Sequence, residues 1–294
     1  MSYFVHILIL VEIYVVLAVS LNLLAGYVGL LSLCTAAFFG AGAYTTSLLV
    51  QRLDWPWLAA LGGAMLLAGL LAAVLGGIAM RFRGDFFAIA SFSFQIILSS
   101  VMLNWVELTQ GPLGLAGIPP PDLFGWSPRS RTDYLLLYLV IAVSAFAVVL
   151  RLVRAPYGRL LQAVREDEVL ARSLGKDVLR AKMSAFTCGA VITALAGGLY
   201  APYVSYIDPG SFTVNESIFI LAIVIIGGAG NLWGSALGAA FLVAVPEMLR
   251  LLDVSPNVAA NLRQILYGLL LAACMVWRPQ GIGGRFAFEE RARS

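Results

Sequence analysis

Nine apolar runs follow one another at residues 4–24, 29–50, 58–80, 86–104, 133–153, 184–204, 213–228, 231–250 and 261–277. A helix needs about 20 mostly apolar residues to cross the hydrocarbon of a bilayer, and most of these runs approach that length. A water-soluble core could not hide so much apolar surface. The chain is 61% hydrophobic and 12% charged, whereas a soluble domain carries about 25% charge. The runs predict an all-α, polytopic membrane protein of about eight to ten segments, forming one domain over residues 1–294. Two of them are irregular. The stretch after Gly26 is rich in glycine and reads as broken or re-entrant, and 213–228 is short for a full crossing. The first run does not read as a cleavable signal peptide: it lacks a basic leader and a small-residue cleavage site, and it holds Glu12.

Lysine and arginine set the expected orientation, because cytoplasmic loops collect them. Alternating nine crossings puts 81–85, 151–183 and the tail from 278 on one side, with fourteen of the 19 basic residues. The other side holds Arg52, Arg129, Arg131, Arg250 and Arg263. The first set, and with it the C-terminal tail, is therefore expected in the cytoplasm, and the net charge of +3 reflects this asymmetry rather than a nucleic-acid partner.

Within that cytoplasmic set, residues 157–186 mix both signs of charge between two very apolar runs. At helical spacing Leu160, Val164, Ala171, Leu174 and Val178 form an apolar stripe, and Arg159, Arg165, Glu166, Arg172 and Lys176 cover the remainder. Gly175 stands where a helix C-cap is expected. A basic amphipathic helix can lie on anionic headgroups, but Glu166, Asp167, Glu168 and Asp177 dilute the charge. Mixed charge over a short stripe suits a groove on another protein better.

No constellation for catalysis stands out. His6 is the single histidine and reads as an interfacial residue; Cys34, Cys188 and Cys274 are scattered through apolar runs with no metal or disulfide spacing. Neither a phosphate-binding lysine motif, a nucleophile elbow nor a metal-binding histidine pair appears. This chain is expected to bind no metal or cofactor of its own, and if it takes part in energy-driven work the nucleotide must be hydrolysed elsewhere. A membrane-embedded enzyme is correspondingly disfavoured.

The 29 glycines cluster, around the second run, within the third, and at 227–238. Gly230, Gly234 and Gly238 fall on one face if this stretch is helical, the pattern of close helix crossing in lipid. The alternative is a helix break at GGAGNLWG (227–234), since irregular backbone at membrane depth must be buried or face water. Polar residues inside the runs are mostly uncharged. Ser32, Thr35, Gln95 and Asn231 are the candidate path residues, whereas an ion-driven carrier would show more intramembrane carboxylate than Glu12 alone.

Seven stretches in order carry a resemblance over nearly the whole chain: LNLLAGYVGLLSLCTAAFFGAGAY (21–44), GDFFAIASFSFQII (84–97), LTQGPLGLAGIP (108–119), GRLLQAVREDEVLARSLGKDV (158–178), GGLYAPYVSYIDPGSF (198–212), GGAGNLWGSALGA (227–239) and YGLLLAACMVWRPQGI (267–282). The chain resembles permease subunits of ABC importers of the branched-chain amino acid type, the LivH/LivM family, and is closest to the LivM side. The resemblance implies a coupling segment at 154–182 that packs on an ATPase subunit, carried here by Gly158, Arg159, Leu160, Ala163, Val164, Arg165, Glu166, Asp167, Ala171, Leu174 and Gly175. It also implies a second permease, two ATPases and an external or periplasmic substrate-binding protein around this chain in the plasma (inner) membrane.

Departures from the family pattern concern the cargo. Many relatives read Gly-His at Cys34 and Thr35, Gly-Glu at Gln95 and Ile96, and Arg at Ser99. Their Thr-Gly-Gly-Pro-Asn-Gly is Thr109-Gln110-Gly111-Pro112-Leu113-Gly114 here. Relatives also carry urea, amides and aromatic acids. The resemblance therefore implies an ATP-driven importer of a small solute, amino acids (branched-chain or related) or amide-type compounds, with these changes weighing against a branched-chain amino acid. A secondary carrier or channel, working without an ATPase, is the rival reading.

Overall fold

Runs of apolar residues in lipid must satisfy their backbone groups internally, and most of the runs form helices in the computed structural model, which describes residues 2–80, 86–123, 125–128 and 130–250, with 268, 269, 281 and 283. Helix α1 (Ser2–Asn22) continues into a π-helical turn, Leu23–Val28, and the chain then runs without helix to α2 (Thr35–Leu53). After α3 (Trp57–Ala79) and α4 (Phe86–Asn104) comes a short α5 (Val106–Thr109), a 3₁₀ turn (Gly111–Leu113) and β1 (Leu115–Ala116). Then follow α6 (Arg131–Arg154), α7 (Pro156–Glu166), α8 (Glu168–Ser173) and α9 (Val178–Val204). A strand β2 (Tyr206–Ile207) and a 3₁₀ turn (Pro209–Phe212) lead into α10 (Val214–Gly227) and α11 (Leu232–Arg250). The run at 261–277, the motif at 267–282 and the tail lie largely outside the described residues.

Five of these helices are long and apolar enough to cross a membrane. Shorter α10 has 14 residues, about 21 Å at 1.5 Å per residue, which falls short of the roughly 30 Å hydrocarbon core. The 3₁₀ turn at 209–212 precedes it. The expected irregularity after Gly26 is a π turn followed by open backbone from Gly29 to Cys34, so the second run starts its helix at Thr35 rather than at 29.

α1 is the centre of the fold: Ile9, Ile13, Leu17 and Leu21, one face at i+4 spacing, are fully buried, and the helix packs on α6, α9, α10 and α11. α2, α3 and α9 form a second tight group. Gly42 of α2 lies against the Ala194 backbone and Gly197 of α9 against that of Ala43, so side chains there would separate the two helices. By contrast α4 and α6 bury narrow stripes and leave most of their surface open.

Contacts between the ends of the helices support the alternating path. At one end Arg52 donates to the carbonyls of Glu107 and Leu108 at 2.7 and 3.0 Å, Gln51 donates to Ala116 at 3.0 Å, and β1 pairs antiparallel with β2. His6 also belongs to this end, hydrogen-bonded to Tyr203 and stacked on its ring. Opposite lie the π turn, the α10–α11 joint and α7.

Candidate functional site

Pro156 occupies the first turn of α7, where its missing N–H costs nothing. The single helix expected through 157–174 is two. Asp167 leaves helical geometry and its Oδ1 accepts from the N–H groups of Val169 and Leu170 at 2.8 and 2.9 Å, capping α8. Gly175, with φ of 75°, closes α8: its N–H reaches Arg172 O and that of Lys176 reaches Ala171 O, the paired bonds of a Schellman C-cap.

The apolar stripe divides. Gly158, Val164, Ala171 and Val178 are buried within the chain itself, joined by Leu161, which is fully buried and absent from the predicted stripe. Leu160 is half-buried, Arg159, Ala163, Glu166 and Asp167 are exposed, and Leu174 is 70% exposed. Val169 and Leu170, 73% and 56% exposed, complete an outward apolar patch with Leu174. Leu160 and Leu161 stand at i−4 and i−3 from Val164, so helical spacing alone does not separate them. Nothing in the pattern alone marks Val169 and Leu170, since the kink at Asp167 resets the phase.

α8 is held to α9 by charge: Glu168 accepts from Lys182 at 2.7 Å and from Arg172 at 2.6 Å. Tyr157 ties α7 to α9 through Ser184 at 2.7 Å, and burial pushes its phenol above the ordinary value. Arg165 does not lie on the outer polar face. Its guanidinium donates to the carbonyl of Gly26 in the π turn, and its stem lies across Gly29.

The late glycines serve two purposes. Gly234 and Gly238 stand in α11 against Gly227 and Ile223 of α10, leaving no room for a Cβ. Gly230 is outside the helix, in a left-handed turn with φ of 81°, which corrects its predicted place on the same helical face. Asn22, fully buried, bridges this joint: Nδ2 donates to Asn231 O at 2.9 Å and Ser235 Oγ at 2.6 Å, while Oδ1 accepts from Gly230 N at 2.8 Å. Asn231 itself donates to Gly283 O at 2.7 Å.

Ser32, Thr35 and Gln95 gather elsewhere, around the start of α2. Gln95, fully buried, accepts from Ala37 N at 2.7 Å and Ser217 Oγ at 3.2 Å and donates to Phe212 O at 2.8 Å. Ser217 in turn accepts from Ala36 N at 2.9 Å. One amide thereby satisfies backbone groups where both α2 and α10 begin at membrane depth. Ser32 contacts Cys34 at 3.3 Å, and Thr35 is buried in the first turn. Beside Gln95 an open cleft of about 370 Å³ separates Ile96, Ser99, Ser100 and Leu103 of α4 from Pro209 and Thr213. Among the described residues no group of three or more His, Cys, Asp or Glu could hold a metal ion.

A family model described as branched-chain amino acid transport system / permease component matches residues 3–275. The chain is 36% identical over 301 aligned positions to the high-affinity branched-chain amino acid transport system permease protein LivM of Escherichia coli K12, covering 95% of this chain and 69% of that one. It is 25% identical to the LivH permease of Salmonella typhimurium LT2 over 92% of this chain and 91% of the relative. The autoinducer 2 import system permease LsrC of Escherichia coli O9:H4 is 29% identical over 72% of this chain and 61% of its own. No solved structure matches.

Proposed function

This chain belongs to the branched-chain amino acid transport permease family, and from that premise we propose that it forms one half of the translocation path of an ATP-driven importer of branched-chain amino acids in the bacterial inner membrane. The second half is a LivH-type permease. Two ATPase subunits hydrolyse ATP with magnesium, and a periplasmic or external binding protein delivers the solute. The basic end, with α7 and α8, faces the cytoplasm, as does the C-terminal tail.

The observation that carries the reading is the outward patch of Val169, Leu170 and Leu174 on a capped, charge-pinned α8. Three large apolar side chains on a cytoplasmic loop, rimmed by Arg172, Lys176 and Glu166, fit a protein groove. Closure of the ATPase pair on ATP would then move α8 and the helices it is tied to, and segment 154–182 is the coupling element of this single permease domain.

The path is best placed along α4. Ser93, Ser100 and Asn104 share its exposed face with Ile97, and polar side chains at membrane depth face protein or water rather than lipid. A second permease against this face would close the cleft beside Pro209 and Thr213. Ser32, Thr35, Gln95 and Asn231 then act by holding the broken segments beside it.

Vesicles containing the two permeases and the ATPases, with binding protein outside and ATP inside, should accumulate labelled leucine. Uptake by this chain alone, without ATP or ATPases, would overturn the proposal in favour of a secondary carrier or channel.

A further inference from the structure

Three groups meet at the inner end of α1 that the coupling patch does not use. Gly26 lies in the last turn of the π helix, where carbonyls run out of intrahelical donors, and Arg165 supplies one. The next turn inward holds Asn22, whose amide grips Gly230, Asn231 and Ser235. Between them there is no slack: a Cβ on Gly26 would meet Asn22 Oδ1 and the backbone N of Gly230. Gly29 then leaves the helix with φ of 78°, beneath the Arg165 stem. π turns recur at functional sites.

We propose that Arg165 is a positioning residue that transmits movement of the coupling segment to both helix breaks at once, gripping the π turn through Gly26 while Asn22, the N-cap of that turn, carries the α10–α11 joint. The proposal rests on the importer reading above and adds its internal wiring. α7 is the rigid arm, since Leu161 and Val164 bury it against the membrane domain, and the Arg165 guanidinium donates to a carbonyl of the π turn that follows α1. Displacing α7 shifts Gly26, and the contact at Gly230 obliges the second break to follow. Arg165 therefore acts on the chain's own backbone, whereas Leu170 and Leu174 act on the ATPase.

The test uses the assembled transporter in vesicles. Arg165→Met keeps the stem over Gly29 and removes the donors. It should copurify with the ATPases as the unaltered chain does, yet move about tenfold less solute per ATP hydrolysed, the scale of one charge-assisted hydrogen bond. Hydrogen exchange supplies a readout that a merely structural role would not move. In the unaltered transporter ATP should change protection at residues 22–30 and at 228–231 together; in Arg165→Met the change should persist in α8 and vanish at both breaks. Arg165→Lys, which can still reach one carbonyl, should restore part of it. Loss of the ATPases from Arg165→Met would make Arg165 a docking residue and overturn the proposal, as would unaltered solute per ATP. Failure of the unaltered complex to take up solute with ATP would instead overturn the importer reading itself.

Discussion

Helices α7 and α8 are separated by Asp167 alone and carry similar mixtures of charge and aliphatic side chains, but they face opposite ways. α7 sinks Leu161 and Val164 into the membrane domain and reaches inward with Arg165. α8 turns Val169, Leu170 and Leu174 outward and is held from behind by Glu168 on Lys182. Amphipathicity states that a helix has a partner; it does not state whether that partner is its own chain. The division falls at Asp167, whose cap starts a new helix with a new phase.

The largest expected effect tests whether both helices lie in the cytoplasm at all. With the native cysteines replaced, a cysteine at Ser173 should escape a membrane-impermeant thiol reagent added to intact cells, while one at Ser127 should react fully. The reverse pattern would place the outward patch outside and leave no ATPase for it to meet.

Next in size is damage to α7. Gly158 sits against the backbone carbonyl of Val153, so Gly158→Val should prevent stable insertion of folded protein. Leu161→Ala should be milder, lowering stability by about 2–5 kcal/mol, the cost of truncating a fully buried leucine. Thermal unfolding of the purified chain in detergent measures it. Leu160→Ala, at a half-buried position, should cost clearly less, and equal losses would contradict the inward phase of α7.

Damage to α8 should show the opposite signature. Leu170→Ser and Leu174→Ser remove exposed side chains, so the melting temperature of the isolated chain should stay unchanged. Association with the ATPases should weaken by roughly 1.5–3 kcal/mol for each leucine. A titrated pull-down from detergent reads this as a tenfold or larger shift. A fall in melting temperature with normal association would exchange the roles of the two helices.

How far this division could be read from residues follows from which rules are local. The membrane-spanning α fold needs only run length and composition, and the runs at 58–80, 86–104 and 133–153 became α3, α4 and α6 with small changes at their ends. The C-cap at Gly175 was legible because only a left-handed residue fits there. Leu161, fully buried inside the chain, was not singled out because Leu160 and Leu161 both stand at helical spacing from Val164. Arg165 was read as a solvated charge; nothing local reports that a carbonyl 139 positions away needs a donor. Gln95 was legible as polar within a run, but its four partners come from α2, α4, α10 and the turn before α10, which only the packed chain assembles.

The smallest effect concerns what holds α8 in place. α7 is fixed by apolar burial, which salt hardly weakens. α8 rests on Glu168, whose bond to Arg172 is an exposed i,i+4 pair and whose bond to Lys182 is more shielded, with that lysine side chain 11% exposed. Exposed ion pairs are worth about 0.2–1 kcal/mol and are screened by salt. Glu168→Gln keeps the shape and removes the charge, so the shielded Lys182 loses its counter-ion and α8 loosens while α7 does not. Amide exchange at residues 168–173 should accelerate by a few-fold, within about 1 kcal/mol, and exchange at 157–166 should stay as it was. Raising salt should narrow the difference at α8 between the unaltered and altered chains, because screening weakens in one the attraction that is already absent in the other. Equal acceleration in both helices would mean that α7 and α8 move as one body, and the contrast between them would reduce to which side each one shows.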